Sequence, residues 1–118
     1  MLFRSMLYWP APTTAAMPEA ARKAGIRVVG EIYPDLQYAP DGTLVIQRTK
    51  HETDTAFAAA QVKRYVESEK VEAIDGSLIP LDAESLCIHG DGPNSTDVGD
   101  AVRKALHEIG CKIAPVMS

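Results

Sequence analysis

No apolar run in the sequence approaches the roughly 20 residues that a membrane-spanning helix requires. Its first residues lack the basic stretch, apolar core and small-residue cleavage site of a secretory signal. A cytoplasmic protein without a membrane partner is therefore expected. Cysteine is scarce: Cys87 and Cys111 each sit in an apolar, β-like run without the paired spacing of a metal site or redox motif, and two buried, reduced thiols are expected. Aromatics are few, and the 12 Lys and Arg residues are scattered, so no basic stripe interleaved with stacking side chains points to nucleic acid. A glycine-lysine phosphate loop is missing too.

What remains is an ordinary globular composition. In 118 residues, 46% are hydrophobic and the net charge is -4, the pattern of one small soluble domain. Residues 1–17 hold three Met and two Pro without a clear period and read as irregular. Because Leu2-Phe3-Arg4-Ser5 also matches a translated sequencing-adapter end, an artefactual or truncated start is expected, with the domain proper over 18–118.

Pro18 suits the first helical position of PEAARKA, which Gly25 would stop. The β-branched run Ile26 to Tyr33, bounded by Gly25 and Pro34, predicts a strand. A loop follows, with a turn at residues 40–42 and an extended piece from Thr43 to Gln47. Thr53 or Asp54 would cap a helix to about Ser68, with Ala58, Val62, Tyr65 and Val66 on its buried face. Asp75-Gly76 between two short apolar runs predicts a hairpin with a two-residue turn. A buried strand is expected over Ser85 to Ile88, a helix from Thr96 to Ile109 with Gly110 as its cap, and a last strand over residues 112–116. Strands alternating with helices argue for an α/β fold built on parallel strands, with the hairpin added.

In such sheets polar chemistry gathers at the carboxyl ends of the strands. Three acid or imidazole groups fall there: Glu31, His89 and Asp91. His89 and Asp91 are two residues apart and would face the same side of a strand. Imidazole beside carboxylate suits general acid/base work on a carbonyl or a shared divalent metal. A structural histidine, with Asp91 fixing a turn, is the plainer alternative. Glu31 interrupts an apolar strand and needs a cation, a donor, a raised pKa or a route to water. Gly90, Gly92 and the amides opening the following helix could receive an anion such as a substrate carboxylate. Asn94 and Ser95 read as helix caps that leave room for a ligand contact, Asp35 as a turn residue, and His51 and His107 as solvated side chains.

Two stretches carry a family resemblance: GEIYPDLQYAPDGTLV at 30–45 and, about forty residues later, SLCIHGDGPN at 85–94. Together they resemble the C-terminal half of the LamB/YcsF family, over residues 20–114. The resemblance implies a glycoside hydrolase/deacetylase-type α/β barrel of seven strands, of which this chain would be the C-terminal half. It implies opening of the lactam of 5-oxo-L-proline to L-glutamate, driven by ATP in a complete complex with 5-oxoprolinase subunits B and C. It leaves a divalent metal open. Carried over residue by residue, it points to His89, Asp91 and Glu31 as catalytic candidates, and to Asp35, Gly90, Gly92 and Asn94 as substrate-binding ones. Pro34 and Leu36 depart from the more familiar Glu-Val-Phe-Ala-Asp-Arg version, and Gly-Asp-Gly-Pro replaces Gly-Asp-Thr-Pro. The family's Asn-Cys-Asp-Leu-Gly-Glu, Gly-Phe-His, His-Pro-Gly and Lys-Pro-His-Gly motifs do not occur here, so a fragment is expected. Two rivals remain: a metal-dependent carbohydrate deacetylase, by analogy of barrel type, and an inactive half-barrel that pairs with itself or a partner through open sheet edges.

Overall fold

In the computed structural model, residues 5–116 are described. The chain runs β1 (Met6–Pro10), α1 (Ala16–Lys23), β2 (Arg27–Ile32), β3 (Gln37–Tyr38), β4 (Leu44–Val45), α2 (Thr55–Ser68), β5 (Lys70–Glu72), β6 (Leu78–Pro80), β7 (Ser85–Leu86) and α3 (Ser95–Glu108). Strands β1, β2 and β7 form a three-stranded sheet with β2 in the middle, and both of its pairings are parallel. The α/β expectation therefore holds. Among the described residues the parallel sheet is open and three-stranded, not a closed barrel.

The first correction concerns residues 1–17. Met6–Pro10, read as irregular, is a full partner of β2, from Met6 opposite Arg27 to Pro10 opposite Glu31. It has no clear sequence pattern because it is an edge strand whose exposure does not alternate strictly, and Pro10 costs the pairing nothing because the Ala11 N–H makes the bond to the Glu31 carbonyl, at 3.0 Å. Helix α1 begins two residues before Pro18, which sits in the first turn, where its missing N–H is harmless.

The second correction is at the other end, where residues 111–116 form no strand. An apolar run becomes a strand only by pairing, and β7, the neighbour it would need, is two residues long. A cavity of about 650 Å³ separates the two, lined by Leu86, Ile88, Val102, Leu106, Ile113 and Val116 among others.

The expected hairpin forms as β5–β6, and the turn at residues 40–42 closes a second one, β3–β4. In β5–β6 the loop turns through Ile74 to Gly76 rather than through two residues, and the Gly76 N–H closes onto the Ala73 carbonyl at 2.9 Å with Gly76 at φ 86°. The β3–β4 hairpin repeats the design: the Gly42 N–H donates to the Ala39 carbonyl at 2.9 Å, with φ 89°. In each, an aspartate locks the turn, Asp41 accepting from the Thr43 hydroxyl and Asp75 from the Ser77 hydroxyl.

Asp54 caps α2, its Oδ1 accepting from the amides of Ala56 and Phe57. Ala58, Val62 and Tyr65 of α2 face inward as expected, whereas Val66 is exposed and Gln61 is buried. Gln61 belongs inside because its amide stands in for a strand: Nε2 donates to the Glu72 carbonyl at 3.0 Å and Oε1 accepts from the Glu72 N–H at 2.7 Å. Helix α3 presents Val98, Val102 and Leu106 to Ala58 and Val62 of α2 in one apolar cluster. A second cluster gathers Ala11, Ile32, Tyr38, Val71 and Leu81 beside the sheet, and Leu86 packs against both.

Two long-range devices hold β7's approach to the sheet. Asp82 accepts from the N–H and the hydroxyl of buried Thr13, whose carbonyl in turn accepts from Arg22. The same segment presses so close to β2 that a Cβ on Gly30 would collide with the Asp82 carbonyl oxygen. Gly30→Ala is therefore expected to destabilise the chain by about 1–3 kcal/mol, the usual cost of overpacking, read as a lower urea midpoint at unchanged slope.

Candidate functional site

The site follows from the register between β2 and β7. Glu31 pairs with Ser85 and Ile32 with Leu86, and the Cys87 N–H continues the ladder onto the Ile32 carbonyl at 2.9 Å. Continued past the strand ends, that offset sets Asp35 level with His89. Alternation turns Glu31 and Tyr33 to one side while Ile32 enters the core, and Asp35 follows Pro34 in a turn that the Leu36 N–H closes onto the Tyr33 carbonyl at 3.1 Å.

Asp35 is the centre of the cluster. Its side chain is only 7% exposed, and Oδ2 accepts two hydrogen bonds from one residue, from the His89 backbone N–H at 2.6 Å and from His89 Nδ1 at 2.9 Å. Asp35 is placed to accept from Nδ1–H, the arrangement that leaves Nε2 of a neutral imidazole as the acceptor. The His89 side chain is 38% exposed. The Tyr33 ring stacks on the imidazole, with centroids 5.8 Å apart and planes at 25°. The Tyr33 hydroxyl donates to Glu31 Oε2 at 2.8 Å, and its backbone N–H donates to the Tyr38 hydroxyl at 3.0 Å.

These surroundings govern the neighbouring acids. Burial, then the hydrogen bond to Glu31 and its charge, pushes the Tyr33 phenol far above its ordinary range. Burial raises Tyr38 to about 12. Burial also raises the Cys87 thiol, with the Glu31 and Asp35 carboxylates adding to it, so this is not an activated nucleophile. Both cysteines are free and half-buried.

Of the residues singled out from sequence, the structure unites Glu31, Asp35 and His89 and separates the rest. Asp91 does not face His89; it pairs with Lys50 at 3.5 Å on the rim, with its side chain 64% exposed. Strand β7 ends at Leu86, before His89, and Gly90 and Asp91 lie in a turn, so strand alternation does not reach the pair. Asn94 starts α3 without a side-chain cap bond. Its amide serves the chain instead: Oδ1 accepts from the Thr53 N–H at 2.9 Å and Nδ2 donates to the Thr53 carbonyl at 2.8 Å. A built Cβ on Gly90 or Gly92 meets nothing within 4 Å, so neither glycine is there for close packing in this chain. His51 and His107 are exposed, as expected of solvated side chains.

Tyr33 is the member that sequence reasoning missed, because an aromatic in an apolar run reads as core. The signal that could have found it is its spacing, two residues after Glu31 at the end of a strand. Among the described residues no three His, Cys, Asp or Glu side chains are arranged to hold a metal ion, and no helix is long and apolar enough to cross a membrane.

Two measurements check this geometry. Asn94→Ala strands both polar groups of Thr53 and is expected to cost about 1–3 kcal/mol in chemical denaturation. Tyr33, Tyr38 and Tyr65 all lose protons less readily in the folded chain. Their folded values lie above the unfolded one of about 10, so the stability they confer is whole below that pH and is lost as pH rises through it toward 12 and beyond. Urea midpoints should fall across this alkaline window, and less steeply in Tyr38→Phe.

Comparison with known proteins agrees with this architecture. The chain is 40% identical over 98 residues to the A-type subunit of 5-oxoprolinase from Neisseria meningitidis serogroup A, covering 81% of this chain and 40% of the relative. It is 44% identical over 97 residues to the corresponding 5-oxoprolinase polypeptide of Thermus thermophilus, covering 80% and 39%. The crystal structure of the lactam utilization protein from Thermus thermophilus superposes with a TM-score of 0.76 at 37% identity, over 92% of this chain and 43% of that one. The chain thus spans about two-fifths of the length of the relatives it matches. The LamB/YcsF family model matches residues 2–118, including the opening stretch read as artefactual, and the chain belongs to the LamB/YcsF family.

Proposed function

We propose that this chain supplies the acid/base part of a lactam-opening site, within an assembly that turns 5-oxo-L-proline into L-glutamate. The observation that carries the reading is the Asp35–His89 pair: a buried carboxylate holds Nδ1 at 2.9 Å and leaves Nε2 to face outward, with the Glu31 carboxylate bonded to the tyrosine that stacks on the imidazole. The names of the relatives, which mark them as one component of 5-oxoprolinase, favour a multi-subunit lactam enzyme.

Opening a lactam by water needs a base for the attacking water and an acid for the departing nitrogen. The neutral imidazole can take a proton at Nε2 and return it to the ring nitrogen as the C–N bond breaks. The imidazolium formed between these steps is stabilised by Asp35, whose Oδ2 already accepts from Nδ1–H. Glu31, fixed by Tyr33, supplies a second carboxylate, suited to orienting the water. ATP hydrolysis is assigned to partner subunits B and C, since this chain carries no phosphate loop. A cytoplasmic location and a seven-strand barrel completed by segments outside this chain belong to the same reading.

The test is glutamate release from 5-oxo-L-proline and ATP by the chain assembled with its partner subunits. His89→Ala is expected to lower kcat by about 10²–10⁴-fold, the range of a lost general acid/base, and Asp35→Asn by less. Turnover that survives His89→Ala unchanged overturns the reading.

A further inference from the structure

Neither the family nor the pairing of Asp35 with His89 gives Tyr33 a task, yet its contacts reach both sides of the site. Its ring lies against the imidazole of His89, and its hydroxyl is hydrogen-bonded to the carboxylate of Glu31. We propose that Tyr33 is a positioning residue, one rigid side chain that fixes the Glu31 carboxylate and the His89 imidazole relative to each other. The inference rests on the lactam-opening reading for the purpose of that arrangement, and on the geometry alone for its existence.

Tyr33 is suited to the task because it is held at both ends. Its backbone N–H is bound by the buried Tyr38 hydroxyl at 3.0 Å. Pro34 follows it, which confines the Tyr33 backbone to extended conformations. The side chain is buried, at 8% exposure for the residue, and has only two torsions to settle. Asp35 grips the imidazole by its edge, through Nδ1, and Tyr33 stacks beside it, which narrows the orientations open to the ring. The Tyr33 hydroxyl is the donor given to Glu31 among the described residues. Without it, a half-buried carboxylate would be free to rotate or to recruit water. Preorganisation of this kind matters because misplacing a reacting group by a fraction of its contact distance sharply lowers turnover.

The hydroxyl must stay protonated to donate, and its surroundings ensure this, since burial and the Glu31 charge both oppose ionisation. That coupling supplies a readout that needs no substrate. With the tyrosine ring carbons isotopically labelled, the alkaline titration of Tyr33 is followed by NMR in the 118-residue chain, with Tyr38 and Tyr65 as internal controls. In Glu31→Gln the Tyr33 transition is expected to move to lower pH while those of Tyr38 and Tyr65 stay in place. A Tyr33 transition unmoved in Glu31→Gln shows that the two groups are not coupled and overturns the proposal.

The positioning itself is read by kinetics on the chain assembled with its partner subunits. Tyr33→Phe keeps the stack and loses the hydroxyl; it is expected to lower kcat several-fold with KM for 5-oxo-L-proline within roughly twofold, because the carboxylate that serves the reacting water is no longer held in place while the groups that bind substrate are untouched. Tyr33→Leu loses both and is expected to fall further. Equal kcat values and pH profiles for the native chain and Tyr33→Phe overturn the role. If an assembly containing the native chain opens no lactam, the proposed function fails, while the titration still decides whether Tyr33 couples the two groups.

Discussion

The parallel pairing of β2 with β7 is the constraint on which the site depends. Only Glu31–Ser85 and Ile32–Leu86 are paired as strands, yet that offset, carried beyond the last rung, decides which side chains meet. A slip by one residue would turn the His89 side away from Asp35 and strand a buried carboxylate without donors. The fold secures so short a pairing from outside it. Asp82 anchors the incoming segment to Thr13, the close approach at Gly30 admits no side chain, and Leu86 is gripped by both apolar clusters.

Side-chain groups repeatedly stand in for backbone where the sheet is incomplete. The Gln61 amide closes the polar edge of β5, the Asn94 amide clamps Thr53, and the Tyr65 hydroxyl bonds the main chain of Ala83 and Leu81 ahead of β7. Each satisfies buried backbone groups that water would otherwise have to reach. Each also ties α2 or its approach to a segment distant in sequence, which is how a chain with a three-stranded sheet keeps its helices aligned on it.

The parts of this fold written in local chemistry were legible in the sequence. The apolar stripe of α3, the Asp54 cap, the β-branched run of β2 and the two Asp-Gly turns each announce themselves within a few residues. What was not legible depends on pairing. Met6–Pro10 and residues 112–116 are both short apolar stretches, and only the presence of β2 beside the first, with no comparable partner for the second, separates strand from coil. The site divides in the same way. That Glu31 lies near a strand end and Asp35 in a turn could be read directly, whereas the bond from Asp35 to His89 and the contacts of Tyr33 could not. Their partners lie on the same strand face or 54 residues away, and single-sequence patterns carry no register between distant segments.

The clamp between Asn94 and Thr53 has a bearing on how the molecule ages. Asparagine is the residue most prone to spontaneous loss of ammonia, and here the nitrogen that would leave is the donor to the Thr53 carbonyl. Its replacement by oxygen would set two electronegative atoms face to face and unlatch the loop before α2 from the start of α3. Peptide mass mapping of stored protein would date that event, and a slow rate would show the clamp shielding its own weakest bond.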